Sequence, residues 1–334
     1  MTGAIRQTRP GRIAGLDVLR GIAIGLVMLR HAFPDQFAGA GVVGVVMFFA
    51  LSGYLITGLL VDELDETGRV NFRHFYLRRA RRLVPAMLFL IAGVVAVTLT
   101  LNPIGDRWQL GKTVAVALTW TGNLPFGHAS DATFHLWTLA TEEQFYLLWP
   151  AILAFAFARL KVRTALVAVG VACVVGCVAT LGWLWEAPDL AYSLPTSWAV
   201  CFVIGAATRV YRDRIHPPAW AVPAALAALA VQSVIPLRGT AFTYLAGGPA
   251  IALLTGVLLL SWRTWTDVTT PALRALTWLG TVSYGAYLWN YPLSIWLRPH
   301  LDAWAGIVAL VGTLAMATVS WHLVERPLQR VRVA

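Results

Sequence analysis

A chain of 334 residues with 58% hydrophobic and 13% charged residues and a mean hydropathy of +0.68 is too apolar for a soluble globular domain, in which about 25% of residues are charged. The same figures exclude a disordered chain, which would be poor in apolar residues, and a small secreted disulfide scaffold, since only three cysteines are present. A net charge of +10 raises the question of nucleic acid, but the basic residues fall in short clusters between apolar runs, which is the positive-inside pattern of a membrane protein, so no nucleic-acid partner is expected.

Unbroken apolar runs without the period-two alternation of a membrane β-barrel point to helices. A crossing helix needs about 20 apolar residues, and ten segments qualify: 16–33, 40–61, 83–101, 136–158, 164–185, 194–210, 219–237, 243–262, 276–297 and 303–323. The predicted fold class is therefore an all-α polytopic membrane protein with about ten transmembrane helices. Residues 1–334 read as one membrane domain, with 1–13 and 324–334 as its terminal segments and no internal repeat. The first run carries Arg20 and Arg30 and no small-residue cleavage site, so it is expected to stay as a span and not act as a signal peptide. Cys173, Cys177 and Cys201 lie inside apolar stretches and read as small buried hydrophobes, with no metal site implied.

An eleventh apolar stretch, 114–124, is short and flanked by Lys112, Asn123, Pro125 and Gly127, which favours a re-entrant or interfacial segment. Charge decides the count. The basic clusters are Arg6, Arg9 and Arg12; Arg78, Arg79, Arg81 and Arg82; Arg159, Lys161 and Arg163; Arg209, Arg212 and Arg214; Arg263 and Arg274; and Arg326, Arg330 and Arg332. With ten crossings and a cytoplasmic N-terminus all of them are cytoplasmic; with eleven, every cluster after residue 158 flips. Both termini are thus expected in the cytoplasm, with the chain in the plasma or inner membrane.

Ionisable residues inside spans cost about 2.5 to 3.5 kcal/mol each on insertion scales, so each needs a partner or a purpose. Arg20 and His31 share one face of the first span, roughly 16 Å apart along its axis, with Asp17 one turn from Arg20. Snorkelling accounts for that arginine as well as function does. The run from His135 to Tyr146 brings Glu142 and Glu143 into the start of the fourth span, at a depth that would let Glu142 meet His31. The arginines from Arg78 to Arg82 suit bidentate phosphate binding, or an anionic-lipid contact. Ser52, Gly53 and Tyr54 form a small polar patch or a close helix contact. The run Ser283, Tyr284, Tyr287, Trp289, Asn290, Tyr291 and Pro292 forms a cavity wall or an interfacial belt.

These motifs together resemble the acyltransferase-3 family of integral membrane acyltransferases, and the resemblance covers 16–327. It is carried by Arg20 and His31 in the first span, by the phenylalanine-rich stretch from Phe48 through Ser52, Gly53 and Tyr54, and by Arg79 and Arg82. Thr138 through Tyr146 complete it, with Glu142 at the family's acid position. Thr138 replaces the usual serine and keeps the hydroxyl. Asn290 stands where many members have histidine, which leaves it hydrogen bonding but no proton transfer. The hydrolase-like domain that many relatives carry after the last span is not expected here.

The resemblance implies transfer of an acyl group, commonly acetyl, from a cytoplasmic acyl-CoA to a hydroxyl of a carbohydrate or other envelope or secondary-metabolite acceptor. The partners expected are that acyl-CoA, the hydroxyl-bearing acceptor and the bilayer. Acyl-CoA is a co-substrate, and no permanently bound cofactor is implied. His31 is the expected base and Glu142 the residue that orients or charge-stabilises it. Arg20, Arg79 and Arg82 are expected to hold the donor, and Ser52, Tyr54, Thr138 and Asn290 to line the cavity. A transporter of a small solute or lipid-linked sugar, or a non-catalytic membrane partner, are the competing readings. The first is weakened by the lack of duplicated halves.

Overall fold

A computed structural model describes residues 13–124 and 129–330. The predicted positions Arg6, Arg9, Arg12, Pro125, Gly127 and Arg332, with residues 1–12 and 331–334 of the terminal segments, lie outside the described residues. The described chain is helical without a strand. In order, the helices are α1 (Ala14–Ala32), α2 (Ala40–Thr67), α3 (Phe72–Thr100), α4 (Leu110–Thr119), α5 (Leu136–Arg159), α6 (Val162–Trp183), α7 (Ala199–Val210) and α8 (Ala221–Val234). There follow α9 (Gly248–Trp262), entered through a π turn at Thr243–Gly247, α10 (Pro271–Thr281), α11 (Ser283–Leu301), α12 (Ala305–Val319), continued by a π turn at Ser320–Glu325, and α13 (Arg326–Arg330).

Among the described residues five stretches are long and apolar enough to cross a bilayer: Ala40–Thr67, Phe72–Thr100, Val162–Trp183, Thr243–Trp262 and the run Ser283–Gln329. The last is a hairpin, because Asp302 at φ 41° ends α11 and α12 packs back against it. Helices α7 and α8 are shorter apolar helices, and α1 and α5 carry charged residues in their interiors. All ten predicted segments fall on helices. One boundary is corrected: the ninth segment, 276–297, is broken at Val282, so that α10 lies against α1 and the long helix starts at Ser283. The 114–124 stretch contributes only the second part of the ten-residue α4, which stops at Trp120 in a left-handed conformation (φ 55°).

Helix α2 is the centre of the bundle: 78% of its most apolar window is buried, against 28% for α3 and for α6. Exposed valines along α6 (Val167, Val171, Val174, Val175 and Val178) form an apolar outer surface suited to lipid. Backbone contact through glycine sets the central packing. Gly53 of α2 faces the Phe202 carbonyl of α7 while Gly205 of α7 faces the Ala50 carbonyl, and Gly21 and Gly280 do the same between α1 and α10. Proline breaks are matched by side chains. Pro150 leaves the Tyr146 carbonyl without its helical donor, and the Tyr76 hydroxyl sits over that turn, donating to the Leu147 carbonyl at 3.0 Å.

One end of the bundle gathers the basic clusters. Arg209 at the end of α7 grips Asp62 near the end of α2 at 2.6 Å. Asp213 takes Arg263 at 3.1 Å and Arg212 at 3.3 Å, bonds that hold its carboxyl below the usual carboxylate range. The Arg163 guanidinium lies 5.4 Å from the Tyr211 ring. The start of α1 joins the same end through Gly15 N–H to the Trp265 carbonyl at 3.2 Å, and α13 packs on α3.

A methyl group added at Gly53 meets the Phe202 backbone, whereas nothing lies within 4 Å of one added at Gly111. Gly53→Ala should therefore cost about 1–3 kcal/mol and lower the thermal unfolding midpoint in detergent, with Gly111→Ala at or above wild type.

Candidate active site

Two cavities lie toward opposite ends of α1. The first, about 310 Å³, opens where α1, α2, α3, α5 and α11 meet. Arg20 comes from the N-terminal half of α1, Arg79 and Arg82 from one face of α3 at helical spacing, and Glu142, Glu143 and Tyr146 from α5. Glu142 accepts hydrogen bonds from the Ser52 and Tyr146 hydroxyls. Arg79 binds Glu143 at 2.7 Å and lies 3.2 Å from the centre of the Tyr146 ring, a cation over a π face. Arg20 is held by Asp17 at 3.2 Å. Arg82 lies within electrostatic reach of Arg20 and Arg79 and of the buried Glu325, whose carboxylate accepts from Ser320 at 2.8 Å. Three guanidiniums and two carboxylates, Glu142 and Glu143, thus line one space, an arrangement able to hold a polyanion by exchanging ion pairs.

The second cavity, about 180 Å³, lies at the other end of α1 and is lined by His31, His135, Tyr192, Tyr291, Arg30, Arg238 and Arg298, among others. The imidazole of His31 is oriented by a chain of neutral groups. The Thr313 hydroxyl donates to the Ala309 carbonyl at 2.6 Å, so its oxygen is left to accept from Asn290 Nδ2 at 3.1 Å. That order turns Asn290 Oδ1 toward His31 Nδ1, 2.6 Å away, and an amide oxygen can only accept. The proton therefore sits on Nδ1, and Nε2 keeps its lone pair with no protein partner among the described residues. His135 is buried near it, and neither of its ring nitrogens has a hydrogen-bond partner among the described residues.

Three side chains, Val45, Thr138 and Tyr287, line both cavities. The Thr138 and Tyr287 hydroxyls lie within hydrogen-bonding reach of each other and of the His135 carbonyl, at 3.1 and 3.0 Å, so that one donates to the carbonyl while the other donates either to it or to its fellow hydroxyl. They form a partition one side chain thick.

The structure brings Arg20, Arg79, Arg82, Ser52, Thr138 and Glu142 around the first cavity and His31 to the second. It does not bring Glu142 to His31: the imidazole's partner is Asn290, and Glu142 is engaged by Ser52 and Tyr146. Helical period gives the depth of a residue but not which neighbouring helix it faces. Asn290 stands behind His31, outside either lining, and Tyr54 packs in the core. Sequence reasoning missed Thr313, Glu325, Arg238 and Arg298, which belong to none of the motifs it used. It also missed the pairing of Asn123 with Gln144 (2.8 and 2.9 Å) that pins the α4–α5 connection to α5.

A family profile described as an acyltransferase domain (acyltransferase-3) matches residues 13–325. Among curated proteins the chain is 26% identical over 368 residues to the O-acetyltransferase OatA of Staphylococcus aureus, covering 96% of this chain and 58% of that protein. It is 27% identical to the peptidoglycan O-acetyltransferase OatA of Listeria monocytogenes (97% and 57%). The putative peptidoglycan O-acetyltransferase YrhL of Bacillus subtilis is 28% identical (95% and 55%). The chain thus spans little more than half the length of these relatives. No solved structure matches it significantly.

The donor order around His31 has a direct spectroscopic consequence. Nitrogen-15 spectra of imidazole-labelled protein should show His31 as the Nδ1–H tautomer, and Asn290→Leu should convert it to mixed tautomers while the other histidines keep their shifts.

Proposed function

Because the chain belongs to the acyltransferase-3 family, we propose that it is a membrane O-acyltransferase that moves an acetyl group from acetyl-CoA to a hydroxyl of an envelope carbohydrate. The observation that carries this reading is the pair of cavities separated only by Val45, Thr138 and Tyr287. One offers arginines for a phosphate-bearing donor, and the other offers an imidazole with a free nitrogen. The printed names of the relatives, peptidoglycan O-acetyltransferases among them, support a glycan acceptor.

The proposed topology has ten crossings, α1, α2, α3, α5, α6, α7, α8, α9, α11 and α12, with both termini in the cytoplasm and the chain in the plasma membrane. Its support is the clustering of Asp62, Arg163, Arg209, Asp213 and Arg263 at one end, together with the start of α1. That grouping leaves an even number of crossings between successive basic segments. The Arg20 cavity then faces the cytoplasm, where the thioester is, and the His31 cavity faces the acceptor.

In this reading Arg79 and Arg82 bind the phosphates of the coenzyme, with Arg20 deeper along the route. The thioester reaches the partition. An acceptor hydroxyl attacks its carbonyl carbon while His31 Nε2 takes the hydroxyl proton. The carbon–sulfur bond breaks, and the proton passes from the imidazolium to the departing thiolate, restoring the neutral ring. Asn290 keeps Nε2 turned to the reaction throughout, the task that the sequence assigned to Glu142. Glu142 instead holds Ser52 and Tyr146 in the wall of the donor cavity.

General-base assistance is worth about 10²- to 10⁴-fold in rate. In proteoliposomes supplied with labelled acetyl-CoA and a glycan acceptor, His31→Ala should lose transfer by at least about 100-fold with unchanged thermal stability; near-normal turnover would remove it from the mechanism. Arg79→Gln and Arg82→Gln should raise KM for acetyl-CoA and leave KM for the acceptor in place.

A further inference from the structure

The His31 cavity carries an unusual concentration of positive charge for its end of the bundle. Arg30 comes from the last turn of α1, Arg298 from the last turn of α11 and Arg238 from the connection after α8. The basic clusters that anchor the fold gather at the opposite end, and arginines away from that end run against the bias of membrane proteins. Helix C-termini favour a cation in their last turn, which accounts for Arg30 and Arg298 being tolerated but not for both lining the same cavity as Arg238.

The carboxylates nearby leave that charge largely unmatched. Asp189 pairs with Arg238 at 3.3 Å, both half-exposed, and Asp131 lies within reach of Tyr291. Arg298 spends one N–H on the His31 carbonyl at 3.0 Å, and neither it nor Arg30 makes an ion pair among the described residues. Both act electrostatically on His31 and Tyr291, so they converge on one space. Beside them is an aromatic surface. The Phe134 and Tyr192 rings stand 6.4 Å apart and 12° from parallel, with the Arg238 guanidinium 4.7 Å from Tyr192 and Trp137 5.0 Å from it.

A purely apolar ligand would leave the arginines without partners, and a lipid headgroup alone would leave the sunken histidine and the ring surface unused. A sugar ring lays its C–H faces on aromatic planes, and a carboxylate or phosphate on that sugar matches a guanidinium fork. We infer that the His31 cavity takes a saccharide bearing an oxyanion close to the hydroxyl that is acylated, with Arg30 and Arg298 determining that specificity. This rests on the acyltransferase reading for the meaning of His31, whereas binding of the anionic sugar does not require turnover.

The test is equilibrium binding to the purified protein in nanodiscs of neutral lipid, followed by tryptophan fluorescence, with methyl glucoside, methyl glucuronoside and methyl glucoside 6-phosphate as probes. The two anionic sugars should bind at least ten-fold more tightly than the neutral one. Arg30→Gln with Arg298→Gln should erase the difference, and Arg214→Gln, at the other end of the bundle, should preserve it. If the double variant does not fold, Arg298→Glu alone, at an exposed position, should erase the preference. Equal binding of all three sugars, or a preference that survives loss of both arginines, would overturn the inference. Abolition of sugar binding by phosphatidylglycerol in the disc would overturn it too, since the arginines would then belong to lipid. Acetyl transfer with equal KM for neutral and anionic acceptors would sink this inference and leave the enzyme. Intact discrimination with no transfer to any acceptor would do the reverse.

Discussion

The hydroxyls of Thr138 and Tyr287 meet over the carbonyl of His135, and with Val45 they are what stands between two charged spaces in the middle of an apolar bundle. A hydroxyl is a suitable material for such a wall. It satisfies a buried carbonyl, carries no charge of its own, and can exchange partners by rotation about one bond. Because the knot ties α5 to α11, it also fixes the two helices that supply Glu142 on one side and Asn290 on the other.

Around it the helices approach closely because glycine allows it. The reciprocal pairs Gly53 with Gly205 and Gly21 with Gly280 bring backbones together, so α7 packs closely on α2 and α10 on α1. Ser52 and Gly53 divide the work between neighbours in sequence: one bonds Glu142 in the cavity, the next lies on the far face against Phe202. The sequence left these two uses open as alternatives, and the helix accommodates both since adjacent residues point about 100° apart.

Much of the framework was legible because apolar runs are long and helical period is strict. Arg20 and His31 share a face of α1, as their spacing implies, but they line two cavities where one was expected. What spacing could not provide was azimuth between helices far apart in the chain. His31 and Asn290 are separated by 259 positions, and nothing local to either announces the other. The family pattern marked Asn290 as a departure and so as a hydrogen-bonding residue, yet its partner had to come from packing. The break at Val282 was hidden for a related reason: α10 and α11 read as one apolar stretch, and only the Gly280 contact with α1 shows why the chain turns there.

The support behind His31 contains no ion. An acid in Asn290's place would have brought a full negative charge into the hydrocarbon interior, with a solvation penalty of several kcal/mol to be recovered by pairing. The amide, the threonine hydroxyl and the helical carbonyl of Ala309 supply direction through permanent dipoles alone. The support therefore adds no charge of its own to a cavity that already holds Arg30, Arg238 and Arg298.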